Sequence, residues 1–145
     1  MIRFPIASRA LVALLLLSAA LPAAAAPKVK LLLVAMSGPE DIHRMSSPFR
    51  HAAILKKSGK AAEVAVVVYG RAVAAVTTNV KSVPEPTRDS FMEARDAGVH
   101  VYVCEHSLAQ AGIGREALMP GVELVPQGIV KIAELVEAGH VPLQY

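Results

Sequence analysis

The chain of 145 residues has one cysteine, Cys104, which lies where an apolar stretch gives way to a polar one. Residues 99–103 alternate valine with histidine and tyrosine, which predicts a strand, and residues 105–111 consist mainly of helix-forming side chains. A thiol between a strand end and a helix start lies near backbone N–H groups and the positive end of a helix dipole, and both favour the thiolate. The position therefore suits a nucleophilic thiol.

The residues after Cys104 are expected to tune its acidity. Ser107 completes a Cys-x-x-Ser spacing, which brings a hydroxyl or a backbone amide within reach of the sulfur. A carboxylate at Glu105 raises the pKa of a neighbouring thiol, and a protonated His106 would offset that effect. The alternative is that Cys104 is a small buried hydrophobic residue, since free cysteine is among the most buried residue types. Position alone leaves both interpretations open.

Strand-like and helix-like patterns alternate along the rest of the chain. The predicted strands are 30–36, 63–69, 99–103 and 122–126, with 140–143 as a final edge strand that tolerates its proline. The predicted helical segments are one that begins at Ser46-Ser47-Pro48 and ends at Ser58-Gly59, then 70–76, 89–97 with Thr87 as its cap, 105–111 and 128–138. Residues 81–86 contain two prolines and predict a loop.

This alternation predicts a three-layer α/β domain with a mostly parallel sheet of four or five strands. Ligands of such sheets collect beyond the carboxyl ends of the strands, where Cys104 is expected to lie. Tyr69 ends the second predicted strand and Gly70 and Arg71 follow it, so all three are expected at the same rim. The guanidinium of Arg71 suits a small oxyanion such as sulfite, and the alternative is a solvated surface arginine.

The first 25 residues have the pattern of a secretory signal peptide. Two arginines precede an apolar stretch over 10–26, and its small residues suit cleavage after Ala24 or Ala25. A membrane anchor is the alternative, but the stretch is shorter than the roughly 20 apolar residues that a spanning helix needs. We therefore expect a periplasmic or secreted protein whose mature part, 26–145, is one domain that does not bind membranes.

Without this leader the chain is close to neutral. The formal net charge of +3 falls to +1 when the two leader arginines are removed, and no basic cluster exceeds Lys56-Lys57. Nucleic acids and anionic membrane surfaces are therefore not expected as partners. A single cysteine in an exported chain cannot form an internal disulfide, so it is free, paired between subunits, or used in chemistry.

The histidines do not have the spacing of metal ligands. They are His43, His51, His100, His106 and His140. The chain also lacks a paired cysteine, a Gly-x-Ser-x-Gly motif and a phosphate-binding loop. Neither a metal nor a cofactor is therefore expected, although Cys104 with His106 and the methionines leaves copper as an alternative.

Four stretches of the chain resemble the DsrE/DsrF-like family of sulfur-relay proteins. They are Cys104-Glu105-His106-Ser107-Leu108, Gly112-Ile113, Leu118-Met119-Pro120-Gly121-Val122 and Val125-Pro126-Gln127-Gly128-Ile129-Val130. The resemblance covers most of the mature chain and is strongest in its last third. It departs at His106, where members often have Asn, and at Tyr69-Gly70, where they often have His-Gly.

The resemblance implies a three-layer α/β fold, assembly as a homotrimer or homohexamer, and a persulfide carried on Cys104. A protein that donates or accepts sulfur is then a possible partner, and His106 and Ser107 would complete the site around the sulfur. We predict an exported sulfur carrier without independent turnover. The alternative is a non-catalytic small-ligand or protein-interaction module on the same fold, in which Cys104 is a buried structural residue.

Overall fold

The computed structural model of the protein describes residues 28–79 and 83–144, so the predicted leader lies outside the described residues. The strands are β1 (Val29–Ala35), β2 (Ala61–Val68), β3 (His100–Cys104), β4 (Val122–Val125) and β5 (His140–Gln144). The helices are α1 (Ile42–Lys57), α2 (Glu85–Asp96), α3 (Glu105–Gln110) and α4 (Gly128–Glu137), with 3₁₀ helices at Gly70–Val76 and Arg115–Ala117.

The five strands form one parallel sheet in the order β4-β3-β2-β1-β5. The predicted α/β fold with a parallel sheet is thus confirmed. The predicted edge strand is β5, which pairs with β1 and places Pro142 opposite Leu32. Proline suits this position because an edge strand does not need every backbone N–H for the ladder.

The strand order explains how the helices are distributed over the two faces. From β1 to β4 each connection moves one strand in the same direction, so right-handed crossovers place α1, α2 and α3 on one face. The connection from β4 to β5 runs back across the sheet and therefore places α4 on the opposite face. We call the first the three-helix face and the second the α4 face.

Each face has its own core. On the three-helix face, strand residues such as Val66 and Val101 pack against Phe49 of α1 and Phe91 of α2, which make an edge-to-face contact at 5.7 Å between ring centroids. On the α4 face the smaller core contains alternate strand residues and one fully packed helix residue. These are Leu32, Val34, Ala65, Val67 and Leu135. Burial on both faces accounts for the continuous apolar strands of the sequence.

Helix α1 begins four residues before the predicted start at Ser46, so that prediction is wrong. Asp41 caps the helix by accepting a hydrogen bond from the backbone N–H of Arg44. Ser46 and Ser47 lie inside the helix, where their hydroxyls donate to carbonyls of the preceding turn. The helix accommodates Pro48 in its second turn.

Helix α2 also begins earlier than predicted, at Glu85 instead of Asp89, and takes in the end of the predicted loop. Pro84 occupies the cap position, and its fixed backbone geometry suits the helix start. Thr87 therefore does not cap the helix. It lies in the first turn, fully buried, and its Oγ1 has no hydrogen-bond partner among the described residues.

No helix within residues 28–79 and 83–144 is both long and apolar enough to cross a membrane. The segment 70–76, predicted as a short helical stretch, forms the 3₁₀ helix that follows β2. Gly70 opens it with a φ of 60°, in the left-handed region that favours glycine. This turn directs the chain from the sheet onto the three-helix face.

Candidate functional site

Cys104 is the last residue of β3 and immediately precedes α3. Its neighbour in the sheet is Val125, the last residue of β4. The chain leaves β3 toward the three-helix face and leaves β4 toward the α4 face. Because the chain leaves these two adjacent strands toward opposite faces, a crevice opens at their carboxyl ends. This is the usual place for a site in a parallel sheet. The thiol lies at this crevice, as the sequence predicted.

Four hydrogen-bond donors surround the sulfur of Cys104. They are the hydroxyl of Ser107 and the backbone N–H groups of His106, Ser107 and Gly128. We call these groups the sulfur cradle. Two of the N–H groups belong to the first turn of α3, and the third belongs to the first turn of α4, on the other side of the sulfur. Helices from both faces of the sheet therefore meet at one side chain.

The cradle changes the acidity of the thiol. Burial alone would raise the pKa of Cys104, but the Ser107 hydroxyl and the N–H groups of Gly128, Ser107 and His106 together hold that pKa below its ordinary value. The backbone carbonyl of Pro126, 4.0 Å from Sγ, is positioned to accept the S–H of the neutral thiol. The thiolate is thus stabilised by neutral dipoles without a formal positive charge.

The hydroxyl of Ser107 is oriented by a second hydrogen bond. The backbone N–H of Gly70 donates to Ser107 Oγ at 2.9 Å. Because this oxygen accepts from the amide, its single hydrogen remains available to donate to the sulfur. Ser107 is itself buried, so water does not compete for the same groups. Gly70 therefore acts on the sulfur only indirectly, because its amide holds the hydroxyl of Ser107.

The first turn of α4 packs so closely against Tyr69 and Cys104 that it requires a glycine at position 128. A Cβ atom at this position would lie 3.2 Å from the Cβ of Cys104 and 2.8 Å from the Cβ of Tyr69. The absence of a side chain lets the helix approach the sheet closely enough for its amide to reach the sulfur. Sequence reasoning did not single out Gly128, although a glycine at the first position of a strongly apolar helix was the available signal.

Tyr69 lies beside Cys104 on the α4 face. Val68 pairs with Val103, so the residues that follow them are neighbours at the ends of β2 and β3. The Tyr69 hydroxyl donates to Sδ of Met36 at 3.0 Å, which holds the ring across the ends of β1 and β2. Met36, Tyr69 and Cys104 therefore form a row along the carboxyl edge of the sheet.

The other residues predicted for the site are separated from the sulfur by their own interactions. The side chain of His106 is exposed, and only its backbone N–H belongs to the cradle, where it also donates to the carbonyl of Pro126 at 3.3 Å. Arg71 is largely exposed and its Nη2 lies 3.0 Å from the Oε2 of Glu40. The Glu40 carboxylate accepts backbone N–H hydrogen bonds, its own and that of Gly38, and these together with Arg71 lower its pKa. Arg71 is thus engaged in an ion pair at the rim.

Two apolar cavities flank the first turn of α4. The larger, about 360 Å³, lies toward β4 and includes Pro126 and Val130 in its wall. The second, about 310 Å³, lies toward β1 and includes Tyr69 and Ile129. We call the second the Tyr69 cavity. Within the described part of the chain, no group of three or more His, Cys, Asp or Glu side chains is arranged to hold a metal ion.

The fold and site define a small α/β protein with one cysteine held at a strand end of a parallel sheet. The chain belongs to the DsrE/DsrF-like family, whose sequence model matches residues 29–144. No curated protein matches the sequence.

Solved structures with the same fold come from bacteria and an archaeon. The ychN protein from E. coli is 19% identical, with a TM-score of 0.69, over 81% of this chain and 99% of that one. MTH1491 from Methanobacterium thermoautotrophicum, a protein of unknown function, is 17% identical, with a TM-score of 0.65, over 82% of this chain and 100% of that one. BT1422 from Bacteroides thetaiotaomicron, also of unknown function, is 14% identical, with a TM-score of 0.63, over 80% and 94%.

Proposed function

We propose that the protein is a sulfur carrier that holds a persulfide on Cys104. The observation that carries this proposal is the position of a buried thiol at the first turns of α3 and α4, where the donors of the sulfur cradle lower its pKa. In loading, the Cys104 thiolate attacks the outer sulfur of a donor R–S–SH. A bond forms between Cys104 Sγ and that sulfur, the S–S bond of the donor breaks, and R–S⁻ leaves with the electron pair.

Unloading uses the same cradle in reverse. An acceptor thiolate attacks the outer sulfur of Cys104–S–SH, and the Cys104 thiolate leaves with the electron pair. A thiol with a lowered pKa is a better leaving group, so the cradle favours this step. The chain has no second cysteine to displace the sulfur internally, and the persulfide therefore persists until an external thiol arrives.

Mass spectrometry tests the proposal. After incubation with a sulfane-sulfur donor, the protein should gain the mass of one sulfur atom at Cys104, and a reducing thiol should remove it. Two oxygen atoms add nearly the same mass, but a sulfinic acid survives the reductant. Cys104→Ser should remain folded and unmodified. A wild-type protein that no donor modifies would refute the carrier function.

A second candidate function is a small-ligand or protein-interaction module in which Cys104 is structural. The burial of the side chain, which is 4% exposed, favours it. A thiol reagent separates the two functions, because a carrier must react in the folded state. If the thiol reacts only after denaturation, Cys104 is a core residue and the module is the better assignment.

Export is a further part of the proposal, based on the sequence of the first 25 residues. The protein recovered from the periplasm or medium should begin at Ala25 or Ala26. N-terminal mass analysis measures this directly. An intact leader in the membrane fraction would favour the anchor interpretation instead.

We also propose that the protein assembles as a homotrimer or homohexamer. The support is the outer side of α4, where Ile129 is 60% exposed and Val130 is 52% exposed, although both are apolar. Light scattering should give three or six times the subunit mass. A strict monomer at micromolar concentration would contradict assembly.

A further inference from the structure

The class of molecule that exchanges sulfur with Cys104 follows from how the thiol is covered. We propose that Cys104 takes sulfur from, and returns it to, small free persulfides and thiols, in preference to persulfides and thiols on folded proteins. The inference rests on the proposed carrier function and names the partners of the same site. It depends on the approach to the sulfur, whereas the carrier function depends on the reactivity of the sulfur.

The first support is the small part of the thiol that can be reached from outside. Cys104 is 4% exposed, and Ser107 beside it is 6% exposed. Gly128 is also buried, and its amide meets the sulfur from the side opposite to α3. A donor must therefore bring its outer sulfur to Sγ through a small opening in this cover.

The second support is that most of the groups that contact the sulfur are backbone groups. The carbonyl of Pro126 lies 4.0 Å from Sγ and also accepts a hydrogen bond from the N–H of His106 at 3.3 Å. This hydrogen bond ties the start of α3 to the segment between β4 and α4. Backbone that is held by a hydrogen bond and by a proline ring cannot rotate aside as an exposed side chain can. The opening therefore stays small in the folded state.

The bulk behind the donor sulfur decides which donors fit this opening. In a free donor such as cysteine hydropersulfide, only a few atoms follow the two sulfurs. A persulfide on a folded protein is surrounded by the surface of that protein, which meets exposed rim residues such as His106 and Gln127 before its sulfur reaches Sγ. Transfer from a protein then requires the first turn of α4 to open locally, and local opening costs free energy.

The same restriction applies to loading and to unloading. In loading, Sγ attacks the outer sulfur of R–S–SH, and R–S⁻ leaves with the electron pair on the far side of that sulfur. In unloading, R–S⁻ attacks the outer sulfur from the position that the leaving group occupied, and the Cys104 thiolate leaves with the electron pair. Both directions pass through the same arrangement of three sulfurs. An R group that is too large for a donor is therefore also too large for an acceptor.

The test compares one reacting group on two carriers. The donors are cysteine hydropersulfide and a small folded protein with a persulfide on its single surface cysteine, and mass spectrometry gives the loading rate of Cys104. Each rate is divided by the rate for an unstructured cysteine peptide, which removes differences in intrinsic reactivity. We expect a preference of at least about tenfold for the free donor, which corresponds to an opening that costs about 1.4 kcal/mol. Unloading by free cysteine and by the thiol of the same folded protein should show the same preference.

Two matched variants locate the preference in the cover of the thiol. Pro126→Gly keeps the carbonyl beside Sγ but frees the backbone that holds it, and should lower the preference several-fold. Pro120→Gly makes the same change at an exposed residue just before the other end of β4, and should retain the preference. Equal normalised rates for the two donors, or a preference that Pro126→Gly leaves intact, would overturn the inference. In either case the carrier function would stand, because it fails only when no donor loads the protein.

Discussion

Among residues 28–79 and 83–144, one face of the sheet carries α1, α2, α3 and a 3₁₀ helix, whereas the opposite face carries α4 alone. On the three-helix face, aromatic and aliphatic side chains fill a continuous core in which Phe49 and Phe91 are fully buried. On the α4 face a smaller core is bordered by two apolar cavities and by exposed apolar residues. The thiol of Cys104 lies on this more open face.

The difference indicates that one face of the sheet contributes mainly stability and the other face contributes the site. The filled core of the three-helix face contributes stability but leaves no space for a ligand inside it, and the two cavities of about 300 Å³ on that side lie outside the core, around α3 and the 3₁₀ helices. A face covered by a single helix leaves room beside that helix, and the first turn of α4 brings a backbone amide to the edge of this space. The site therefore depends on residues that contribute little to the core. Substitutions on the two faces test this difference.

The largest loss of stability is expected on the three-helix face. Phe49→Ala removes a fully buried ring that contacts Phe91 and should lower the free energy of unfolding by about 3–5 kcal/mol. Urea unfolding measures the change. The matched substitution Ile132→Ala, at a partly buried residue of the α4 face, should cost clearly less. Equal losses would show that the two faces share the stability evenly.

A smaller loss, together with a chemical effect, is expected for Gly128→Ala. The added methyl group meets Tyr69 and Cys104 at less than ordinary contact distance, which should cost about 1–3 kcal/mol. The displaced helix should also withdraw its amide from the sulfur and slow persulfide loading. Ala133→Ser, at an exposed position of the same helix, serves as the control. Unchanged loading in Gly128→Ala would refute the close contact between α4 and the thiol.

Ser107→Ala should have a modest effect on stability and a specific effect on acidity. Loss of the hydrogen bond from Gly70 should cost about 1 kcal/mol. Because the Ser107 hydroxyl stabilises the thiolate, its removal should move the pKa of Cys104 upward, toward the ordinary thiol value. Loading rises with pH as the thiolate forms, so the pH profile of the variant should shift to higher pH.

The ultraviolet absorbance of the thiolate, followed as a function of pH, measures this shift directly. Ser107→Thr retains a hydroxyl and should keep the profile closer to that of the wild type. A variant that is destabilised but titrates like the wild type would assign Ser107 a purely structural role.

The smallest effect on subunit stability is expected for Ile129→Ser. The side chain is largely exposed, so the free energy of unfolding of the subunit should change by no more than about 0.5 kcal/mol. If the outer side of α4 holds subunits together, as proposed, the mass from light scattering should fall. A stable assembly in the variant would place the subunit contact elsewhere.

Most of the fold could be predicted from local patterns, because apolar strands and amphipathic helices leave periodic signals. The errors fall at helix starts. The Ser46-Ser47-Pro48 stretch has the composition of a cap, but Asp41 makes the capping hydrogen bond, and the serines bond within the helix. Propensity alone cannot choose between two adjacent cap sequences, since tertiary packing decides which turn is included.

The sequence could predict only those contacts of the site whose residues are close together in the chain. Cys104 and Ser107 share one turn, and their proximity follows from spacing. The position of Gly70 at the rim follows from its place just after a strand, but its contact with Ser107 and the approach of Gly128 depend on the strand order and on which face each crossover takes. Neither of these can be read from a single sequence without knowledge of the pairing of strands.

The return of the chain from β4 across the sheet also determines when the thiol becomes protected during folding. β1 completes its pairing only through β5, as Lys30 lies opposite His140, and the amide of Gly128 arrives with the same C-terminal segment. Contacts so distant in sequence form late. Until then Cys104 is an accessible thiol in a partly folded chain, able to form a disulfide with a second molecule. Refolding in air, with dissolved oxygen as the oxidant, should therefore yield more covalently linked dimers than the folded protein forms under the same conditions, because folding leaves Cys104 only 4% exposed.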